Sequence, residues 1–174
     1  MKKELQLTFD ELESQRAELL KEVISLSQDE LTKSPEGKWS IIHILSHIVA
    51  GERAGLEYVR KKVLGVREAG ESGMWEGLKL ALFKASQRIP FLKYKAPRVL
   101  VDRTIVYNDL STLELEWENI RRDWRSFLDK LPDEFSNKKI FRHAVGGRFN
   151  VRQGLVILRE HINHHIPQIR ERMR

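Results

Sequence analysis

The run Glu160-His161-Ile162-Asn163-His164-His165-Ile166-Pro167-Gln168-Ile169 holds half of the chain's six histidines. His161 and His165 are one helical turn apart, so both imidazoles leave the same face of a helix. They flank an apolar stripe made by Val151, Leu158, Ile162 and Ile169, and His164 lies about 60° away from His161 at about 100° per residue. A helix with one apolar face and two histidines along its edge needs a neighbouring helix to cover the stripe. It also offers two nitrogen ligands to one metal ion. Gly154, two turns earlier on the histidine side, leaves space there, and Gln168 is placed to orient a ligand or a bound water.

The neighbour is found after Trp39-Ser40, where Ser40 is a good N-cap and Trp39 can staple onto Ile44. Ile41, Ile44, Leu45, Ile48, Leu56, Val59 and Val63 form the stripe of this second helix, and His43 and His47 are again four residues apart. Either could supply a third nitrogen. The other reading of the two pairs is that they are boundary histidines with no shared role. There is no cysteine, so disulfides, thiolate ligands and cysteine nucleophiles are excluded, and any metal is held by nitrogen and oxygen.

Two further amphipathic helices complete the scaffold. Thr8 and Glu11 read as a capping box for a first helix over 8–27 with Phe9, Leu12, Leu19, Val23 and Leu26 inward. Ser27 and Glu30 form a second box before a short turn. Ser111 and Glu114 form a third, opening a helix over 112–130 in which Leu113, Trp117, Ile120, Trp124, Phe127 and Leu131 keep a 3–4 spacing up to Pro132. Gly146-Gly147 make a turn, and Asn150 with Gln153 caps the last helix, 151–172. With the second helix at 40–64, residues 65–110 remain as a long connection. It contains a shorter amphipathic helix from Met74 to Ile89 and then loop from Phe91 to Asp109, in which Val99-Leu100-Val101 and Ile105-Val106-Tyr107 could be brief extended pieces. The pattern predicts one domain over 1–174, an all-α four-helix bundle with a long middle crossover.

The formal charge of +6 and pI of about 9.6 raise nucleic acid as a partner, but acids alternate with the basic residues except at Arg170, Arg172 and Arg174. No apolar run approaches the roughly 20 residues that cross a bilayer, and the charged N-terminus lacks a signal peptide's apolar region. A cytoplasmic protein without a membrane partner is expected.

Lys38-Trp39-Ser40, His47-Ile48, Glu52, Phe141-Arg142-His143, Gly146-Gly147 and His161…His164-His165…Gln168-Ile169 together resemble the DinB-like superfamily over nearly the whole chain. These are the damage-inducible bundle proteins, not the polymerase of the same name. The resemblance implies one divalent metal held by His47, His161 and His165, with His43 and His164 as neighbours. It also implies homodimers and activities that include S-transferases and isomerases using low-molecular-weight thiols, and metal-dependent hydrolases. Pro167 departs from the family pattern: it removes an amide two residues after His165 and is expected to kink or end the helix there.

Three neutral imidazoles leave Zn²⁺ one open position, or Ni²⁺ or Fe²⁺ several, where water or a thiol is activated. Glu52 is the candidate catalytic base or proton carrier, and a core ion pair with Arg121 or Arg152 is its other reading. Glu160 reads as a solvated helix acid. Tyr58, Trp75 and Tyr107 could wall a pocket for a small-molecule substrate, or be core or dimer contacts. Trp75, Trp117, Trp124 and Phe127 exceed what one narrow stripe needs, which favours a dimer. The functional expectation is a metal-dependent thiol S-transferase or hydrolase. The alternative is a non-catalytic, metal-binding dimeric interaction or stress protein.

Overall fold

A computed structural model describes residues 1–87, 98–102, 104–143 and 146–174. The described elements are α1 (Lys3–Val23), α2 (Gln28–Thr32), α3 (Ile41–Val63), a 3-10 turn (Val66–Glu68), α4 (Met74–Gln87), α5 (Arg98–Asp102), α6 (Leu110–Lys130), a second 3-10 turn (Asp133–Phe135), β1 (Phe141–His143), β2 (Gly147–Phe149) and α7 (Val151–Arg172). The architecture is an all-α bundle of α1, α3, α6 and α7 with one small antiparallel hairpin.

Polar pairs between helices give the direction of each one. Glu11 meets Arg159 and Glu22 meets Arg170, so α1 and α7 run parallel. Arg53 meets Glu116 and Arg60 meets Asp123, so α3 and α6 are parallel as well. Asp10 with Arg125 and Glu13 with Arg121 make α1 and α6 antiparallel. This is why the middle connection is long: a chain leaving α3 must travel back roughly 30 Å, the length of a 20-residue helix, before α6 can start in the same direction. The basic end is answered within the chain, as Arg170 holds Glu22 and Arg172 lies 3.1 Å from Glu171.

The stripes close on one another as their periods require. Leu12, Ile44, Leu45, Trp117, Trp124 and Ile162 are fully buried. Two tryptophans expected to exceed one stripe are therefore buried inside a single chain, and Phe127 is partly buried. Trp75 alone of that group remains largely exposed, at 63%.

Several expected boundaries shift. Helix α1 begins at Lys3, so Thr8 is not its cap; the Thr8 hydroxyl donates to the Glu4 carbonyl at 2.8 Å inside the helix. Helix α6 is capped by Asp109, whose carboxylate accepts the Thr112 amide at 2.7 Å, and Ser111 lies within its first turn. The boxes Ser27–Glu30 and Asn150–Gln153 and the Ser40 cap form as expected. Leu100 and Val101 are helical in α5, not extended, while Ile105–Tyr107 form neither helix nor strand. The expected end of α4 at Ile89 and the first part of the loop, 91–97, lie outside the described residues. Pro167 does not end α7, which continues to Arg172.

The Gly146-Gly147 turn joins β1 to β2, with Gly147 at φ +84°, a conformation glycine adopts without strain. The hairpin drives Phe141 into the seam between α3 and α7. A Cβ on Gly154 would stand 2.4 Å from the Phe141 ring, and one on Gly55 would stand 3.1 Å from it. The space expected beside Gly154 is thus filled by Phe141. Because the clash involves the root of the ring, which cannot swing aside, Gly154→Ala is expected to destabilise the fold by about 1–3 kcal/mol. An unchanged thermal midpoint would show that the seam is loose.

Candidate metal centre

Helices α3 and α7 cross this seam antiparallel, and one end of it gathers imidazoles. His47 Nε2 lies 3.2 Å from His161 Nε2, which lies 3.1 Å from His165 Nε2. His47 and His165 are buried, and His161 is half-buried. Gly51 makes the approach possible, since a Cβ there would meet the His161 ring at 3.1 Å. A glycine one turn after His47 was the sequence signal for this contact.

The surroundings fix the rings. Gln168 Oε1 lies 3.1 Å from His165 Nδ1 and accepts its proton, which leaves the His165 Nε2 lone pair facing the other two rings. His47 Nδ1 is buried without a hydrogen-bond partner. The indole of Trp39, expected on Ile44, stacks on His43 with centroids 4.5 Å apart and tilts over His47 at 5.0 Å. His164 packs edge-on against His165 at 5.1 Å. Among the described residues, His47, His161 and His165 are the one group whose donor atoms cluster closely enough to hold a metal ion.

An ion about 2.0–2.1 Å from two nitrogens holds them roughly 2.8–3.4 Å apart, from octahedral to tetrahedral angles. The two short spacings here, 3.1 and 3.2 Å, fall inside that range. Charge fits as well. Burial, then His43 and His164, pushes His47 down to about 4. Burial, then His47, pushes His165 down to about 3 against the opposing Gln168 bond. Burial, then His165 and His47, holds His161 well below its ordinary value. All three are neutral at pH 7 and carry the lone pairs a cation needs.

These lowered values set a pH dependence for the metal-free protein. In the unfolded chain histidines titrate near 6.5, so below that pH the unfolded state binds more protons than the folded state. Stability is full above about pH 6.5 and falls on acidification, until His47 protonates near 4 and His165 near 3 in the fold. The slope is about 1.4 kcal/mol per pH unit for each buried histidine. Urea midpoints at pH 7, 6 and 5 read this out, and a flat profile would mean that the rings titrate as in water.

The profile of the DinB superfamily matches residues 11–169. The chain belongs to the DinB superfamily. Searches of curated proteins and of solved structures found no significant match. In this DinB-superfamily protein the histidines expected as ligands come together, whereas the expected base lies elsewhere. Glu52 is fully buried and its two carboxylate oxygens accept from Arg121 Nε and Nη2 at 2.6 and 2.7 Å. Arg121 also reaches Glu13 at 2.7 Å. Five residues after His47, Glu52 is turned about 140° round α3, toward α6. Glu160, expected to be solvated, is buried beside the Arg159 guanidinium at 3.7 Å.

Of the aromatics expected around a pocket, Tyr107 lines a cavity of about 40 Å³ with Ser46, Ala50, Arg53 and Ile105. Its hydroxyl accepts from Arg53 at 2.9 Å. Tyr58 lies on the outer side of α3 under Lys62, and Trp75 is exposed on α4. No described helix is long and apolar enough to cross a membrane.

Proposed function

We propose that the protein binds one divalent metal ion (Ni, Zn or Fe) through His47, His161 and His165 and acts on a small molecule, joining it to a low-molecular-weight thiol. The observation that carries this reading is the convergence of three imidazoles in the α3–α7 seam, with His161 Nε2 at 3.2 and 3.1 Å from those of His47 and His165 and all three donor atoms within 4.8 Å of one another. A bound divalent ion supplies Lewis acidity, lowering the pKa of a coordinated thiol or water. The chain's own groups favour the thiol over hydrolysis. Coordinated water and coordinated thiol each give up a proton, but a thiol starts at a pKa of about 8.5 against about 15.7 for water and loses it to solvent more readily. Glu52 is engaged by Arg121, and no other carboxylate joins the histidine group among the described residues. Glu52 enters this proposal as a strut that fixes α3 against α6. Gln168 orients His165, and Gly51 admits His161 to the seam.

The same lack of a base supports the second reading, a metal-binding interaction or stress protein that does no chemistry. Protein purified without chelators or a polyhistidine tag is expected to carry, or take up, one divalent ion per chain. Turnover of a thiol with a chlorinated aromatic, abolished by chelation, distinguishes the enzyme from the binder. Failure to retain Ni, Zn or Fe at any stoichiometry would sink both.

One domain over 1–174 and a cytoplasmic location are part of the proposal, as is a homodimer. Met74, Trp75, Leu78 and Leu82 leave α4 with an exposed apolar stripe, which supports self-association. Light scattering is expected to exceed the 20.5 kDa of one chain, and Trp75→Glu to restore that mass. A wild-type protein that stays at 20.5 kDa at micromolar concentration would exclude the dimer.

A further inference from the structure

The hairpin brings a fourth histidine to the seam. We propose that His143 is a positioning residue of the metal centre, donating its Nε2–H to a small anion held on the ion. The proposal rests on the metal reading above.

Three observations support it. The first is the tautomer. The Gly146 amide donates to His143 Nδ1 at 3.0 Å, so in the neutral ring the proton sits on Nε2 and the outer nitrogen is a donor. The second is direction. Residues two apart on a strand share a face, and Phe141 is inserted between Gly55 and Gly154. His143 therefore faces the same α3–α7 seam. His161 occupies that seam two turns beyond Gly154 and against Gly51, one turn before Gly55. The Phe83 ring of α4 packs edge-on against His143, at 4.7 Å. His143 is also among the charges that lower His161, the last of them in size.

The third observation is the charge left over. Three neutral imidazoles compensate none of a divalent ion's charge. The nearest carboxylates in sequence, Glu52 and Glu160, are committed to Arg121 and Arg159. Such a centre selects an anion, a thiolate or carboxylate in a substrate and azide as a probe, and a nearby N–H donor strengthens that selection.

The two carboxamides separate the roles of the imidazole's nitrogens. His143→Asn keeps an acceptor where Nδ1 meets the Gly146 amide but loses the outer donor. His143→Gln places an N–H near the position of Nε2. Each protein is loaded with Co²⁺ and titrated with azide, following the visible bands of the ion. His143→Asn is expected to bind Co²⁺ as the wild type does, keep its helical circular dichroism, and bind azide about tenfold or more weakly, the loss expected for one hydrogen bond to a charged group. His143→Gln is expected to recover most of that loss. Equal azide affinity in His143→Asn and wild type overturns the role of His143 and leaves the metal reading standing. Absence of Co²⁺ bands in the wild type overturns both.

Discussion

Replacing His47, His161 or His165 by alanine is expected to abolish binding at the proposed metal site and to leave the bundle folded. Each substitution takes away one of three converging nitrogens, and the remaining two cannot close around an ion. Loss of an outer-shell partner costs about 10–100-fold in metal affinity, the effect expected of Gln168→Ala; loss of a ligand exceeds it. His43→Ala and His164→Ala change the packing around the rings and are expected to stay below either. The core stripes of α1, α3, α6 and α7 are complete without the ion, so helical circular dichroism persists in all of these variants. Trp39, with its ring 5.0 Å from that of His47, gives a fluorescence signal for titration against a competing chelator. If His164→Ala empties the site while His165→Ala leaves it full, the ligand assignment is wrong.

The largest stability effect is expected at Glu52. Its carboxylate and the Arg121 guanidinium are both buried and doubly hydrogen-bonded, with Glu13 as a third member. Glu52→Ala leaves Arg121 in the core with only the half-buried Glu13, which costs about 3–5 kcal/mol. For a chain of this size that lowers the thermal midpoint by about 6–20 °C. The double variant Glu52→Leu/Arg121→Met removes both charges and is expected to recover most of the loss, because the desolvation cost of the ions goes with them. Metal content should not change in either. Loss of turnover in a double variant that is folded and fully metal-loaded would return Glu52 to the chemistry.

The bundle was legible because its stripes are long and their period is unambiguous; Leu113, Trp117, Ile120, Trp124 and Leu128 are all buried as that spacing requires. Caps were legible only where one candidate existed. Thr8–Glu11 and Ser111–Glu114 match the capping pattern as well as Asn150–Gln153 does. Upstream, however, Leu5 is buried and draws α1 back to Lys3, and Asp109 takes the amide ahead of Ser111. At the site, the His161–His165 pair is a local property of one helix and could be read directly. The choice of His47 over His43 depends on how α3 rotates against α7, and it came from the family pattern. Of the two sequence readings of Glu52, the ion pair with Arg121 is the contact found; its angle round α3, five residues from His47, turns it toward α6. The burial of Glu160 is imposed by elements distant in sequence, so no local pattern carries it.

The parallel run of α1 and α7 has a consequence for biosynthesis. Helix α1 leaves the ribosome well before α7, yet the side chains that answer Glu11, Gln15 and Glu22 are Arg159, Asn163 and Arg170. Two of the three converging imidazoles arrive on that same late helix. Contacts this far apart in sequence form slowly, and a partly made chain exposes the apolar face of α1 until its partner is synthesised. A nascent chain stalled before Val151 can offer only one histidine of the group, so ion uptake is expected to follow the emergence of α7. The centre would then report that α7 has been made and has closed on α3.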